Sequence, residues 1–368
     1  MSDAILRTQD LAVGYRGKAL IEHIALQVRR GEIMTLIGPN GAGKSTILKS
    51  IIRQLEPLAG TVYIDGRATR SMAERELARS ISVVMTDRVH PELMTCADVV
   101  ATGRYPYTGS LGLLSEGDWA AVRSAMERVD ALGLWDTDFG QLSDGQRQRI
   151  LLARAICQEP EVMVLDEPTS FLDIRYKLEL LAILKDLVRD KGMAAVVSLH
   201  ELDLAQKISD TVVCVSPECG IDRWGPPEEI FAGDYIHRLY GVTRGSFDPL
   251  YGSLELERPS GRPQVFVIGG GGSGIPVYRR LQRRGVPFAA GILQENDLDY
   301  PVAAALAAEV VSQGAFQPVG EETFRRALAA LEACPRAVCC LESFGPLNDC
   351  NRRLAQAAGG KLVPLEEI

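Results

Sequence analysis

The chain has 368 residues, enough to bury two separate cores, and 46% of them are hydrophobic, as in ordinary globular domains. Its formal net charge of -8 disfavours non-specific nucleic-acid binding, which depends on Lys and Arg neutralising phosphates, though a small local basic patch stays compatible with it. The excess acid all precedes residue 262, because residues 262–368 carry 11 Lys+Arg against 11 Asp+Glu.

No apolar run approaches the ~18 residues of a membrane-spanning helix, so any membrane role is expected to run through a partner. Met1-Ser2-Asp3 includes an acid and leads into no basic region followed by an apolar stretch, so no signal peptide is expected. The eight cysteines are Cys96, Cys157, Cys214, Cys219, Cys334, Cys339, Cys340 and Cys350. They lack paired CxxC spacing and mostly sit in apolar runs, which favours buried free thiols in a reducing compartment over a metal site.

In chain order, apolar runs of strand length recur at 33–37, 81–85, 162–165, 194–199 and 211–215, with helical patterns between most of them. The clearest helix places Leu180, Leu181, Leu184, Leu187 and Val188 on one face. This alternation predicts a mostly parallel sheet with helices on its faces. From Tyr240 to Pro263 the periodicity fades and glycines and prolines punctuate the chain, which predicts a linker over 241–262. Beyond it, 265–268, 289–293, 310–312, 338–341 and 362–364 read as short strands. Between them, Phe324, Ala327, Leu328 and Leu331 fall at helical spacing within 321–333. Residues 263–368 are therefore expected to form a second, smaller α/β domain.

Three motifs carry chemistry in the first domain. Gly38-Pro39-Asn40-Gly41-Ala42-Gly43-Lys44-Ser45-Thr46 follows one strand and opens a helix, the context of a phosphate loop. Its glycines let backbone N–H groups wrap phosphates, Lys44 reaches the β/γ oxygens and the Ser45 hydroxyl suits Mg²⁺. Asp166 and Glu167 end the strand at 162–165, where open α/β sheets bind ligands. There Asp166 would hold Mg²⁺ through water, and Glu167 would orient or deprotonate the water that attacks the γ-phosphate. Leu142-Ser143-Asp144-Gly145-Gln146 is an LSGGQ-like segment whose small residues expose N–H groups at a positive helix end, suited to a nucleotide's terminal phosphate.

With these motifs in this order, residues 4–240 resemble the ATP-binding subunit of an ABC transporter. The resemblance implies a P-loop α/β ATPase domain over 1–240 with an α-helical subdomain at about 87–160, joined here to a smaller Rossmann-like α/β domain. It implies ATP and Mg²⁺ as cofactors, with Gly38, Asn40, Gly41, Gly43, Lys44, Ser45 and Thr46 around the phosphates and Tyr15 stacked on adenine. Lys44, Glu167 and His200 would be catalytic, and Ser45, Asp166 and Thr86 would serve the metal. Ser143, Gly145 and Gln146 would act on the nucleotide held by a second copy of the chain, with Asp173 in the loop that links the two sites.

The resemblance further implies membrane permease subunits as partners, an extracytoplasmic solute-binding protein acting indirectly, no nucleic acid, and a cytoplasmic, peripheral seat on the inner face of the membrane. The segment 94–107, ending Gly103-Arg104-Tyr105-Pro106-Tyr107, resembles the importer ATPases that serve iron chelates, haem and cobalamin. Read by itself, it could be only a helix stop.

Two positions depart from the family. Thr86 stands where a glutamine is usual, keeping a hydroxyl but about two heavy atoms shorter and without an amide, so slower or differently organised hydrolysis is expected. Asp144 replaces a glycine and would repel a γ-phosphate unless it points away or finds a cation. The rival function is a soluble ABC ATPase acting on nucleic acid or ribosomes. Such proteins usually carry a second cassette or a coiled-coil insertion, and neither is visible here. An exporter is less favoured still, without fused membrane helices.

In the second domain Gly269, Gly271 and Gly274 form GxGxxG directly after a strand, with Glu295, Asp297 or Asp299 as possible ribose ligands. The same glycines fit a tight turn without ligand, and Asn296-Asp297-Leu298-Asp299 could cap the next helix. The domain is expected to be a ligand sensor or, alternatively, a dimerisation module.

Overall fold

The computed structural model describes residues 4–85, 93–109, 111–170, 172–248 and 252–368. The chain divides into two compact units, Met1–Tyr240 and Gly241–Ile368. No helix among the described residues is long and apolar enough to cross a membrane.

In the first unit β1 (Ala4–Tyr15), β2 (Lys18–Ile24), β3 (Gln27–Arg29) and β4 (Ile33–Ile37) lead into α1 (Lys44–Ile51). Next come β5 (Ala59–Ile64), β6 (Arg67–Ala68), α2 (Glu74–Ser80) and β7 (Ile81–Val84). A helical stretch follows with α3 (Cys96–Ala101), α4 (Glu116–Arg128) and α5 (Asp144–Cys157). The chain then returns through β8 (Val162–Asp166), α6 (Ile174–Lys191), β9 (Ala194–Ser198), α7 (Leu202–Ile208), β10 (Thr211–Ser216) and β11 (Gly220–Gly225). The short helices α8 (Pro227–Ile230) and α9 (Tyr235–Leu239) end it.

β1 pairs antiparallel with β2, β3 and β5. The second sheet runs β11-β10-β4-β9-β8-β7, parallel throughout except for the edge strand β11. β4, β8 and β9 are buried at every position, which explains their unbroken apolar runs: helices and the antiparallel sheet cover both faces, so no polar alternation survives. Leu36, Val164, Val196 and Val213 share one core with Ile47 of α1, so the loop between β4 and α1 is held at both ends.

The helical stretch begins each helix with a reciprocal cap, Thr95 with Asp98, Ser115 with Asp118 and Ser143 with Gln146. Arg104 is buried between them. Its guanidinium donates to Asp118 at 2.9 Å, to Glu159 at 2.8 Å and to the Cys157 carbonyl at 2.9 Å, and lies 4.0 Å over the Tyr107 ring. The Gly103-Arg104-Tyr105-Pro106-Tyr107 segment is thus a 3-10 turn that clamps α4 to the end of α5.

The second unit opens with a hairpin of β12 (Ser246–Asp248) and β13 (Ser253–Glu255), then alternates β14 (Val265–Ile268), α10 (Ile275–Arg283), β15 (Phe288–Gln294), α11 (Asp299–Leu306), β16 (Glu309–Gln313), α12 (Glu321–Ala333), β17 (Arg336–Cys339) and α13 (Asp349–Ala358). Its parallel sheet has the order β16-β15-β14-β17. Val265 and Val267 pack on Tyr278 and Leu281, while Phe266 and Ile268 pack on Phe324, Leu331 and Leu354, so β14 is covered on both faces.

Two expectations are corrected here. The stretch read as a linker belongs to the second unit, because Phe247 is buried and the Glu255 carboxylate, also buried, pairs with Arg279 of α10. No strand forms at 362–364. Leu362 makes a single bridge to Ala337 between two 3-10 turns, since the segment is too short for a ladder.

Replacing Arg104 by Met leaves Asp118 buried without its cation and should lower the stability of the first unit by about 2–4 kcal/mol, read from its unfolding transition in urea. Hydrogen bonds from Ser115 and then from Arg104 hold the Asp118 carboxyl down at about 2. The stabilisation is therefore complete above the ~3.9 of an unfolded aspartate and is lost as pH falls from there towards 2. Asp118→Asn should flatten that part of the profile.

Candidate active site

β4 delivers the phosphate-loop segment at its carboxyl end. Gly38 takes φ 146°, and a Cβ there would lie 2.1 Å from the Val215 carbonyl oxygen, so only glycine fits against β10. Gly41 and Gly43 also have positive φ, Asn40 is exposed at the loop tip, and α1 starts at Lys44. Lys44 is buried, and its Nζ donates to the carbonyls of Gly38 at 2.6 Å and Pro39 at 3.1 Å. Burial pushes the Lys44 ammonium down from its ordinary value, against the opposing pull of Glu167 and Asp166. Thr46 Oγ1 lies 3.3 Å from the hydroxyl of Tyr15, whose ring is half exposed.

β8 and β9 bring the carboxylates to the same edge. Ser45 Oγ donates to Asp166 Oδ1 at 3.1 Å, and Ser198 Oγ donates to the same oxygen at 2.7 Å. Ser198, fully buried at the end of β9, also accepts the Glu167 amide at 2.9 Å. That bond matters because Glu167 has φ 49°, a left-handed conformation costing on the order of 1 kcal/mol or more for a residue with a side chain. His200 Nε2 meets Glu167 Oε1 at 2.5 Å, and Ser170 Oγ donates to Oε2 at 3.4 Å. Lys44, Ser45, Asp166, Glu167 and His200 are thereby brought together from three adjacent strands.

Ser143, Gly145 and Gln146 lie at the N-terminus of α5. Ser143 Oγ accepts the Gln146 amide at 3.3 Å, and Gln146 Oε1 accepts from the Ser143 amide and hydroxyl at 3.1 Å each. Among the described residues, their side-chain hydrogen bonds stay within this cap. Gly145 lies against the Tyr176 ring, and Asp173 caps α6 by accepting the Tyr176 amide at 3.0 Å. Asp144, the departure from glycine, finds its cation: Arg147 Nη1 lies 3.2 Å from Oδ1, one turn along the helix. The carboxylate also sits in the first turn, where the positive helix end favours it. Thr86 lies outside the described residues.

Three partners were not legible beforehand. Ser198 sits inside an apolar strand pattern, where a small hydroxyl gives no signal. Glu201 accepts from Lys177 at 2.7 Å and from Thr169 at 2.8 Å; burial raises its carboxyl, but these two bonds outweigh it and the net shift is downward. Tyr240, the last residue of the first unit, is the third. Its partly buried hydroxyl accepts the Gly38 amide at 3.0 Å across 202 positions of sequence, and desolvation pushes it up to about 12.

In the second unit the GxGxxG loop is closed by the chain itself. Asp297 accepts the Gly271 amide at 2.9 and 3.0 Å, and also the Asp299 amide at 2.9 Å. Asp299, fully buried, accepts the amides of Gly274 at 2.9 Å and Ile275 at 3.3 Å. A Cβ at Gly274 would lie 2.4 Å from the Tyr278 ring and hydroxyl, so this glycine serves packing. The amides of Gly271, Gly274 and Ile275 are thus taken up within the chain, as in a tight turn. Glu295 is exposed and takes no part in the loop. All eight cysteines are free, and no cluster of metal-ligating side chains occurs among the described residues; Cys96, Cys157, Cys214 and Cys334 are buried, Cys339, Cys340 and Cys350 partly so, and Cys219 is exposed.

The ABC transporter family model matches residues 21–170, and a second model, the MJ0874 family, matches residues 288–367. An uncharacterized ABC transporter ATP-binding protein of Methanocaldococcus jannaschii is 41% identical over 290 residues, 78% of this chain and 100% of that protein. The cobalamin import ATP-binding protein BtuD of Halobacterium salinarum is 32% identical, covering 87% of this chain and 81% of its own length. The ferric enterobactin transport ATP-binding protein FepC of Escherichia coli is 34% identical over 71% of this chain and 96% of its own. Among solved structures, cbiO1 of Clostridium perfringens, part of the ABC transporter complex cbiONQ, superposes with TM-score 0.56 at 26% identity, covering 64% of this chain and 94% of that one. The chain belongs to the ATP-binding proteins of ABC transporters, ATP hydrolases coupled to transport, and carries an additional C-terminal α/β unit.

Proposed function

We propose that this chain is the ATP-hydrolysing subunit of a membrane importer and energises uptake of an iron chelate, haem or cobalamin. The observation that carries the reading is the convergence of Lys44, Ser45, Asp166, Glu167 and His200 on the carboxyl edge of one parallel sheet. The cobalamin and ferric enterobactin import named for two relatives supports the solute class.

In this reading Lys44 and the loop amides bind the β- and γ-phosphates, and Tyr15, Asn40 and Thr46 border the nucleotide. Ser45 Oγ and Asp166 Oδ1, all-oxygen donors at 3.1 Å from each other, fit Mg²⁺, which takes few protein ligands and keeps its waters. When bound, the ion would supply charge neutralisation on the phosphates. Glu167 takes the proton of the attacking water, and His200 holds its carboxylate in place. Ser143, Gly145 and Gln146, bonded only locally among the described residues, offer a face to the nucleotide of a second copy, with Asp173 beside them. Two copies then close around ATP and reopen after hydrolysis, moving permease subunits from the inner face of the membrane, with a solute-binding protein acting on the far side. A nucleic-acid role draws no support from a net charge of -8.

The C-terminal unit reads as a ligand sensor; a cavity of about 510 Å³ at the carboxyl edge of its own sheet supports this.

Glu167→Gln should lower kcat for ATP by about 10²–10⁴-fold with nucleotide binding retained, and unchanged hydrolysis would remove Glu167 as the base. Lys44→Ala should weaken nucleotide binding as well. Ser198→Ala should cost about 10–100-fold in kcat and raise the Mg²⁺ concentration for half-maximal activity, with KM for ATP nearly constant; a purely structural role would leave the Mg²⁺ response unmoved. A chain ending at Tyr240 should keep basal ATPase, and Tyr240→Phe should loosen the phosphate loop, read as a higher KM for ATP. Equal KM in Tyr240→Phe and the parent would show that the hydroxyl plays no part.

A further inference from the structure

We propose that the C-terminal unit binds a small organic cation, and rejects phosphorylated nucleotides, in a cavity at the carboxyl edge of its parallel sheet. This rests on the reading of that unit as a ligand sensor and names the chemistry of its ligand. The cavity measures about 510 Å³, within the ~300–1,000 Å³ of small-molecule sites. It is lined from the loop after β14, the end of β15 and the segment after β17. In the order β16-β15-β14-β17 the strand sequence reverses between β14 and β17, and that crevice is where open α/β sheets take ligands.

The lining chemistry sets the sign of the ligand. Asp297 and Glu342 bring carboxylates, Gln294, Ser343 and Asn348 bring neutral polar groups, and no Lys, Arg or His lines the cavity among the described residues. Glu342, exposed at the mouth, has no hydrogen-bond or ion-pair partner among the described residues, so its charge is available. The wall is braced in advance: buried Asn351 accepts the Ile292 amide at 3.0 Å and donates to the Ile292 carbonyl at 3.1 Å, tying α13 to β15. A ligand pays little to order such a site.

The same geometry turns phosphate away. A dinucleotide would need the amides of the glycine loop and the N-terminus of α10, and those of Gly271, Gly274 and Ile275 already donate to Asp297 and Asp299. A pyrophosphate entering there would face two carboxylates in place of open N–H groups, and Glu342 beyond them.

The test is hydrogen exchange on the full chain, read in peptides covering 269–275 and 340–351. Agmatine and spermidine serve as cationic probes, NAD⁺ and ADP-ribose as phosphorylated ones. At least one cationic probe should give saturable protection at 340–351, and Glu342→Gln should weaken it about three- to fivefold, the scale of one exposed ion pair. NAD⁺ and ADP-ribose should leave 269–275 unprotected. Protection of 269–275 by either phosphorylated probe, no protection by either cation, or a non-saturating effect insensitive to Glu342→Gln would each overturn the proposal. Saturable cation binding without any change in ATPase rate would keep the site and remove only its sensor role.

Discussion

A single buried hydroxyl couples the two acids on which the proposed chemistry rests. Ser198 Oγ donates to Asp166 and accepts the amide of Glu167, so β9 fixes both the carboxylate beside Ser45 and the left-handed backbone of its neighbour. That amide bond helps hold Glu167 at φ 49°, a costly backbone conformation for a non-glycine residue, while its carboxylate meets His200. The constraint is available only because β8 and β9 are parallel neighbours in register, with Asp166 opposite Ser198.

The rest of the first unit serves that edge. Continuous burial of β4, β8 and β9 leaves the strand ends as the place where polar side chains can emerge, and α1 packs into the same core as the strands. The phosphate loop is then fixed by its glycine contact with β10 and by Tyr240 at the far end of the unit. The helical stretch is organised separately, around the Arg104 guanidinium and three reciprocal caps, so the signature segment can present its helix end while its own polar groups are satisfied locally.

The second unit shows how one short pattern can be put to another use. GxGxxG after a strand describes a turn that lets a helix start close to a sheet, and the turn is present. What fills its amides differs: two carboxylates from the segment after β15 accept the amides of Gly271 and Gly274. Burial raises the Asp299 carboxyl, as does its neighbour Asp297, while the loop amides favour the ionised form.

The sequence by itself determined the elements and most of the residues at the proposed site. Strand-length apolar runs, the glycine loop and the paired acids are local patterns, and local patterns follow from backbone sterics and burial alone. The linker reading failed because glycine and proline density records turns and not whether a buried ion pair such as Glu255 with Arg279 anchors them. Only the tertiary structure decided Ser198, Tyr240, the Asp144–Arg147 pair and the closure of the second glycine loop. Most of these are contacts between residues 25 to 202 positions apart, and even the short Asp144–Arg147 pair depends on side-chain direction at a helix end. Sequence spacing carries neither distance nor direction of that kind.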